Sequence, residues 1–341
     1  MVTQKKADRS RVSLPMPFRE LLGQATAVDT LVAALSRGRL HHAYRFEGPA
    51  GVGKEMAAFG LAQSLLCDQP IAGLACRTCA SCRRATTLTE DRPFVPIHPD
   101  LVLVERGLYP PSSLGTHTAE TSFIGIEQIR RVVLARIGFP PHEGKALVFI
   151  IRAADELSPS AANALLKTLE EPPERVHFVL ITHRPNRLLQ TIRSRTLAVR
   201  FNALSDQLVR DILVRHGLSP DVAPLAQGSA SLAIQLADEE ASASRQTFIE
   251  SFQRALVAPD LATAIGELDS SRAANRETLR EQLGWLAASI AQRAREQITN
   301  GPLCERLACQ HAHVLAGLTE LERNAQPALL LESLLGRLRR A

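Results

Sequence analysis

Four of the six cysteines, Cys67, Cys76, Cys79 and Cys82, fall within sixteen consecutive positions, spaced Cys-x8-Cys-x2-Cys-x2-Cys. Four thiolates so close in sequence suit a closed tetrahedral zinc site, which leaves no position open to water and gives the metal a structural role. An iron-sulfur cluster also uses clustered cysteines, but here the fourth ligand lies nine residues upstream instead of in a downstream Cys-Pro. Arg77, Arg83 and Arg84 lie beside the cysteines and would offset the net double negative charge of a zinc tetrathiolate. Cys304 and Cys309 stand in a helical-looking stretch and are read as plain thiols with no assigned chemistry.

The second chemical feature is GPAGVGK, residues 48–54, which fits the first seven positions of a phosphate-binding loop, GxxxxGK followed by Ser or Thr. In such a loop Gly48, Gly51 and Gly53 let backbone N–H groups turn inward around phosphate oxygens. The following helix adds its positive N-terminal end, and Lys54 reaches the outer phosphates. The eighth position, where a hydroxyl would hold magnesium, is Glu55. A carboxylate about 4 Å from one phosphate charge costs on the order of 4 kcal/mol at an effective dielectric of about 20, which puts ATP and Mg2+ in question at this loop. The acidic pair expected after the central strand is replaced by Arg152 and Ala153. Asp155 and Glu156 follow in what reads as a turn, and a shift of three residues moves a carboxylate by up to about 10 Å in extended chain.

The elements that position these groups are read from apolar periodicity. From Leu21 to about Phe201, short apolar runs alternate with amphipathic segments, the pattern of helices packed on a mostly parallel sheet. Strands are expected over 43–47, 101–105, 146–151 and 177–182, so the phosphate loop lies after a strand and before a helix over 55–66. Residues 160–171 read as a helix with Ser158 as N-cap and Pro159 at its first position, stopped by Pro172 and Pro173. Beyond Phe201 the strand signal ends, and 206–216 and 221–236 read as short helices broken at Gly217 and Gly228. The polar run 238–244 reads as a hinge. In the final helix Leu330, Leu331, Leu334, Leu335 and Leu338 share one face, expected to pack within its own bundle, with an oligomer interface as the alternative.

The 341 residues are 45% hydrophobic and 22% charged, which excludes a disordered chain and a small disulfide scaffold. No run reaches the roughly 18 apolar residues of a spanning helix, and residues 1–14 carry charges where a signal peptide would be apolar; a cytoplasmic protein with no membrane partner is expected. The balance of 40 basic against 35 acidic residues, +5, permits an acidic partner such as DNA without establishing one.

With these parts placed, the sequence resembles the bacterial clamp-loader subunits of DNA polymerase III, a branch of the AAA+ superfamily, over nearly the whole chain. The resemblance is carried by GRLHHAYRFEGPAGVGK (38–54), the four cysteines, HPD (98–100), ANALLKTLEEPPE (162–174), the triplet Ser194, Arg195, Thr196 and the last leucine-rich helix. It implies an α/β fold class: an AAA+ P-loop-type parallel sheet with helices over 1–203, carrying a zinc module at 67–82. A small helical lid over 204–242 and an all-α collar over 243–341 would follow, the collar joining subunits into a ring of five. The gamma/tau branch has an intact loop, an acidic pair and a lid arginine; here those positions hold Glu55, Arg152 with Ala153, and Ser231. The delta prime branch, with decayed nucleotide chemistry and a retained Ser-Arg-Cys triplet, is the one resembled, Thr196 replacing its cysteine.

That resemblance implies a ring member that does not hydrolyse ATP, partnered by gamma/tau and delta subunits. Arg195, with Ser194 beside it, would reach ATP held by a neighbour, and the ring would load a sliding clamp on primer-template DNA. The chain would then be a component of the DNA-directed DNA polymerase III holoenzyme and itself neither polymerase nor active ATPase. One rival is an active ATPase in which Glu55 ligates magnesium and Asp155 or Glu156 serves catalysis. Another is a zinc-dependent nucleic-acid-binding protein, against which stands the lack of interleaved aromatics in the cysteine module.

Overall fold

The computed structural model describes residues 18, 21–116, 123–143, 145–268, 276–322 and 325–340. The reading of residues 1–14 lies outside the described residues. The chain forms two compact units, Met1–Ala203 and Leu204–Ala341.

The first unit is built on a parallel sheet of five strands: β1 (Ala43–Glu47), β2 (Leu101–Val104), β3 (Leu147–Ile151), β4 (Val176–Thr182) and β5 (Leu197–Arg200), in the order β2-β3-β4-β1-β5. All four pairings are parallel; Tyr44 lies between Val179 of β4 and Leu197 of β5. Helices α1 (Ala25–Ser36), α2 (Lys54–Leu66), α3 (Ala80–Thr86), α4 (Pro159–Glu170) and α5 (Gln190–Ser194) connect and cover it. Alternation along the strands sorts the core into two layers. Tyr44, Phe46, Val148, Ile150 and Val179 join the cluster under α1 and α2, whereas Leu147, Phe149, Ile151, Phe178 and Leu180 join the cluster under α4. Central strands buried on both faces read as continuous apolar runs, which is why β3 and β4 stand out in the sequence. Ser158 caps α4 as expected, accepting from the Ala161 N–H at 3.2 Å with Pro159 at the first position.

The fifth strand was not expected. Leu197–Arg200 is four residues long and mostly exposed at the sheet edge, so it lacks the apolar run that betrays the inner strands. The parallel order brings the C-terminal ends of β1, β3 and β4 side by side, the usual place for a ligand in such a sheet.

The second unit is helical: α6 (Asp206–Arg215), α7 (Ala230–Ala237), α8 (Glu239–Val257), α9 (Leu261–Glu267), α10 (Arg276–Glu296), α11 (Gly301–Glu322) and α12 (Pro327–Arg340). One apolar cluster gathers residues 204–237 and a larger one residues 248–338. The polar run 238–244 is corrected by the structure: α8 starts at Glu239, so the segment read as a hinge is the first turns of a helix. Its Asp, Glu and Ser content makes it polar, but its Glu and Ala are good helix formers. The five leucines of α12 are all buried within this unit's own core. Among the described residues no helix is long and apolar enough to cross a membrane.

Candidate functional site

The phosphate loop leaves the C-terminal end of β1 and enters α2. Gly48, Gly51 and Gly53 all have positive φ, at 144°, 71° and 98°. Gly48 is also sterically obligatory, and Gly53 is closely approached by a side chain. A Cβ on Gly48 would sit 2.1 Å from the Phe201 carbonyl oxygen, and one on Gly53 would sit 2.4 Å from Leu21 Cδ2. Gln24, buried at the N-terminal edge of α1, fastens the loop: its Nε2 donates to the Val52 and Asn202 carbonyls at 3.2 and 2.7 Å, and its Oε1 accepts from the Asn202 N–H at 3.0 Å. Lys54 folds back on its own loop, donating to the Gly48 carbonyl at 2.6 Å and to the Pro49 carbonyl. Burial pushes its pKa down to about 8, and the nearby Asp155 pulls it back up.

Asp155 therefore belongs to this site and is not a free turn residue. After β3 the chain turns at Ala153, φ 44°, into a short 3-10 segment (Ala154–Glu156) that brings the buried Asp155 carboxylate onto the Thr182 hydroxyl, which donates at 2.7 Å from the end of β4. Glu156 pairs with Arg106 at 3.4 Å.

The two departures from a working loop meet each other. Arg152, at the end of β3, pairs through Nη2 with Glu55 and through Nη1 with Glu105, the latter at 2.7 Å. Burial disfavours the charged guanidinium, but the two glutamates outweigh it and hold its pKa above the ordinary arginine value. A side-chain cation thus stands between the first turn of α2 and the ends of β2 and β3, and the Glu55 charge is compensated internally.

Ser194 and Arg195 lie at the end of α5. Arg195 pairs with Glu170 of α4, and its Nη1 donates to the Thr191 carbonyl at 2.9 Å and to Ser194 Oγ at 3.3 Å. Both residues line an open cavity of about 650 Å3 with His41, His42 and Glu170.

The four cysteine sulfurs lie within 4.8 Å of one another, with Cys67 to Cys79 and Cys76 to Cys82 at 4.0 Å. A tetrahedron of Zn–S bonds of about 2.3 Å has edges of about 3.8 Å, so the residues fit zinc. Backbone N–H groups already point at the sulfurs: Cys76 to Cys67 at 3.2 Å, Cys79 to Cys76 at 3.4 Å, Cys82 to Cys79 at 3.3 Å. Donors from Cys79 and Thr78 lower the Cys76 thiol to about 6, while burial raises Cys67 and Cys82. The arginine assignment needs correction at Arg84, while Arg83 stays on the module. Arg84 is held in a two-pronged pair by Glu143 at 2.6 and 2.7 Å, and Arg83 donates to the Thr78 carbonyl. Lys145 also reaches the module, donating to the Cys67 carbonyl and pairing with Asp68 at 3.6 Å.

The HPD run braces the module. Ser81 Oγ donates to the Leu66 carbonyl at 2.6 Å, so His98 Nε2 must donate to Ser81 at 2.7 Å while its Nδ1 accepts from the Asp100 N–H at 3.1 Å. Fully buried Asp100 accepts from the His142 and Glu143 N–H groups and from Arg136 at 2.5, 2.7 and 3.1 Å.

The family model described as DNA polymerase III, delta subunit, matches residues 23–205, more than half of the chain. The chain belongs to the DNA polymerase III delta subunit family. The curated relatives it matches include DNA polymerase III tau, gamma and delta' subunits. The tau subunit of Escherichia coli K12 is 34% identical over 236 residues, 66% of this chain and 33% of that one. The delta' subunit of Bacillus subtilis 168 is 35% identical over 202 residues, covering 59% of this chain and 54% of that one. The chain thus spans about a third of the tau subunit and about half of the delta' subunit. Among solved structures, a gamma subunit-related protein of Thermotoga maritima is 19% identical, with a TM-score of 0.45 over 91% of this chain and 99% of that one.

In this polymerase III family member the α/β class of fold read from the sequence is the one found, a parallel sheet with the loop after β1 and helices on both faces. The structure gathers Gly48, Gly51, Gly53, Lys54 and Glu55 with Arg152 and Asp155, and gathers Cys67, Cys76, Cys79 and Cys82 separately. Gln24, Glu105 and Lys145 were missed. Each acts on a partner far along the chain, and none belongs to a spaced motif.

Proposed function

We propose that this chain is the delta prime type of clamp-loader subunit, a ring member that does not hydrolyse ATP at its own loop. It presents Arg195 in trans to nucleotide held by a neighbouring gamma/tau-type ATPase. The observation that carries the first half is Arg152 between Glu55 and Glu105. Magnesium at a phosphate loop needs a hydroxyl on the helix and a carboxylate on the strand; here the helix offers a carboxylate already neutralised, and the strand offers a cation. Lys54 is turned onto the Gly48 and Pro49 carbonyls and Gln24 fastens Val52, which lets the loop keep its shape without a metal.

Arg195 fits the second half by chemistry. A planar guanidinium on a half-exposed turn neutralises charge developing on a transferring phosphoryl group, and Ser194 beside it is a hydroxyl donor to the same region. Zinc bound by the four cysteines would supply a structural cross-link between the end of α2 and the start of α3, with no open position for catalysis. The partners on this reading are gamma/tau and delta subunits in a ring of five, with the sliding clamp and primer-template DNA met through the complex.

The test is hydrolysis by the isolated chain. Wild type and Lys54→Ala should both lack magnesium-dependent ATP turnover; turnover present in wild type and lost in Lys54→Ala would overturn the reading in favour of an active ATPase.

A further inference from the structure

Arg45 occupies a position in β1 where a side chain of an inner strand should be apolar. Its neighbours Tyr44 and Phe46 face one core layer, Ala43 faces the other, and β1 is paired on both sides. Yet Arg45 is only 7% exposed. A buried guanidinium is tolerated only where its donors are met. Here Nε is met from its own strand and Nη1 from the 193–196 turn. Nε pairs with Glu47 at 2.5 Å, on the same strand face. Nη1 lies 2.6 Å from Thr196 Oγ1, 2.8 Å from the Arg193 carbonyl and 3.4 Å from the Thr196 carbonyl. With two hydrogens for three acceptors, the longest contact is the weak one.

Arg193 and Thr196 are the residues on either side of Ser194 and Arg195. The Arg193 carbonyl lies at the C-terminal end of α5, where carbonyls lack helical partners and carry partial negative charge. Thr196 accepts from Arg45 and passes its own hydroxyl proton on to the Ile192 carbonyl at 2.8 Å. One buried cation in the sheet therefore grips both ends of the turn that carries the arginine, and the threonine that departs from the family triplet is the side chain that receives it.

We infer that Arg45 is a positioning residue: it fixes the 193–196 turn and so sets where the Arg195 guanidinium stands toward a neighbouring subunit. This rests on the reading of Arg195 as a trans arginine. A guanidinium stabilising a phosphoryl transition state must be placed closely, and a displacement of about 1 Å can cost about 10²-fold at the affected site.

The test uses the full chain reconstituted with a gamma/tau-type ATPase subunit and follows ATP turnover against concentration of this chain. Arg45→Met should lose most of the stimulated rate that Arg195→Ala loses, while the concentration for half-maximal stimulation stays unchanged. Arg45→Lys, which keeps a donor toward the Arg193 carbonyl, should recover part of it. Thr196→Val, which removes one acceptor but leaves the Arg193 carbonyl and Glu47 to hold the buried charge, should lose a smaller share and add nothing in the Arg45→Met background. It also serves if Arg45→Met does not fold. Full stimulated rate in Arg45→Met or, failing that variant, in Thr196→Val, alongside loss in Arg195→Ala, overturns the inference and leaves the trans reading standing. Full rate in Arg195→Ala itself overturns that reading.

Discussion

Replacing Arg152 with Met keeps the aliphatic stem and removes the cation from between two carboxylates. The Arg152 side chain is 22% exposed and Glu55 and Glu105 are each 41% exposed. A pair of unit charges about 4 Å apart is worth on the order of 4 kcal/mol at an effective dielectric of about 20 and about 1 kcal/mol in water. With glutamates this exposed, solvent screening brings each pair to about 1 kcal/mol. The loss from Arg152→Met is then about 2 kcal/mol, a fall of roughly 4–8 °C in Tm for a unit of this size. Circular dichroism during urea unfolding measures it, and a double-mutant cycle isolates the cause. Glu55→Gln alone should cost about 1 kcal/mol, but in the Arg152→Met background it should cost nothing, because the carboxylate there has lost its partner. Molar salt should shrink the coupling. A cycle that is additive to within about 0.5 kcal/mol would refute the claim that these side chains replace a metal-centred arrangement with one of their own.

Three further outcomes follow from the geometry. Native mass spectrometry should find one zinc per chain, lost in Cys79→Ser together with thermal stability; Cys79 is the N-cap of α3 and serine caps equally well, so the loss reports the metal and not the helix start. Gly48→Ala should destabilise by about 2–3 kcal/mol in urea titrations, since its Cβ meets a backbone carbonyl, while Gly138→Ala, with open space around it, stays within about 0.5 kcal/mol. Burial depresses the pKa of His42, His98 and His177, so below the ordinary 6.5 the unfolded chain takes up protons that the folded chain refuses. Stability present above pH 6.5 should decline as pH falls through the depressed values, and His177→Phe should flatten the slope of unfolding free energy by up to about 1.4 kcal/mol per pH unit.

The sequence makes the inner sheet legible because strands buried on both faces are nearly continuous in apolar character, as β3 and β4 are. It makes the loop and the cysteines legible because their chemistry needs fixed spacing within one short segment. What it hides is charge pairing across the fold. Glu55 reads as a repulsive carboxylate until β3 delivers Arg152 to it from 97 residues away, and Asp155 reads as a turn residue until the left-handed Ala153 turns it toward Lys54. Arg84 reads as a companion of the metal until Glu143, 59 residues on, claims it. The edge strand β5 escapes notice because four residues, three of them exposed, are too few to carry a period, and the start of α8 because a polar run can be a helix as readily as a hinge.

The central claim is that Arg195 works on nucleotide held by another subunit. The most direct measurement is ATP turnover by a reconstituted gamma/tau-containing complex with this chain as wild type or as Arg195→Ala, at matched assembly judged by gel filtration. The account predicts intact assembly and loss of the turnover belonging to the one neighbouring site, where such arginines contribute about 10³–10⁵ in rate. Equal turnover with both chains, in equally assembled complexes, would contradict it.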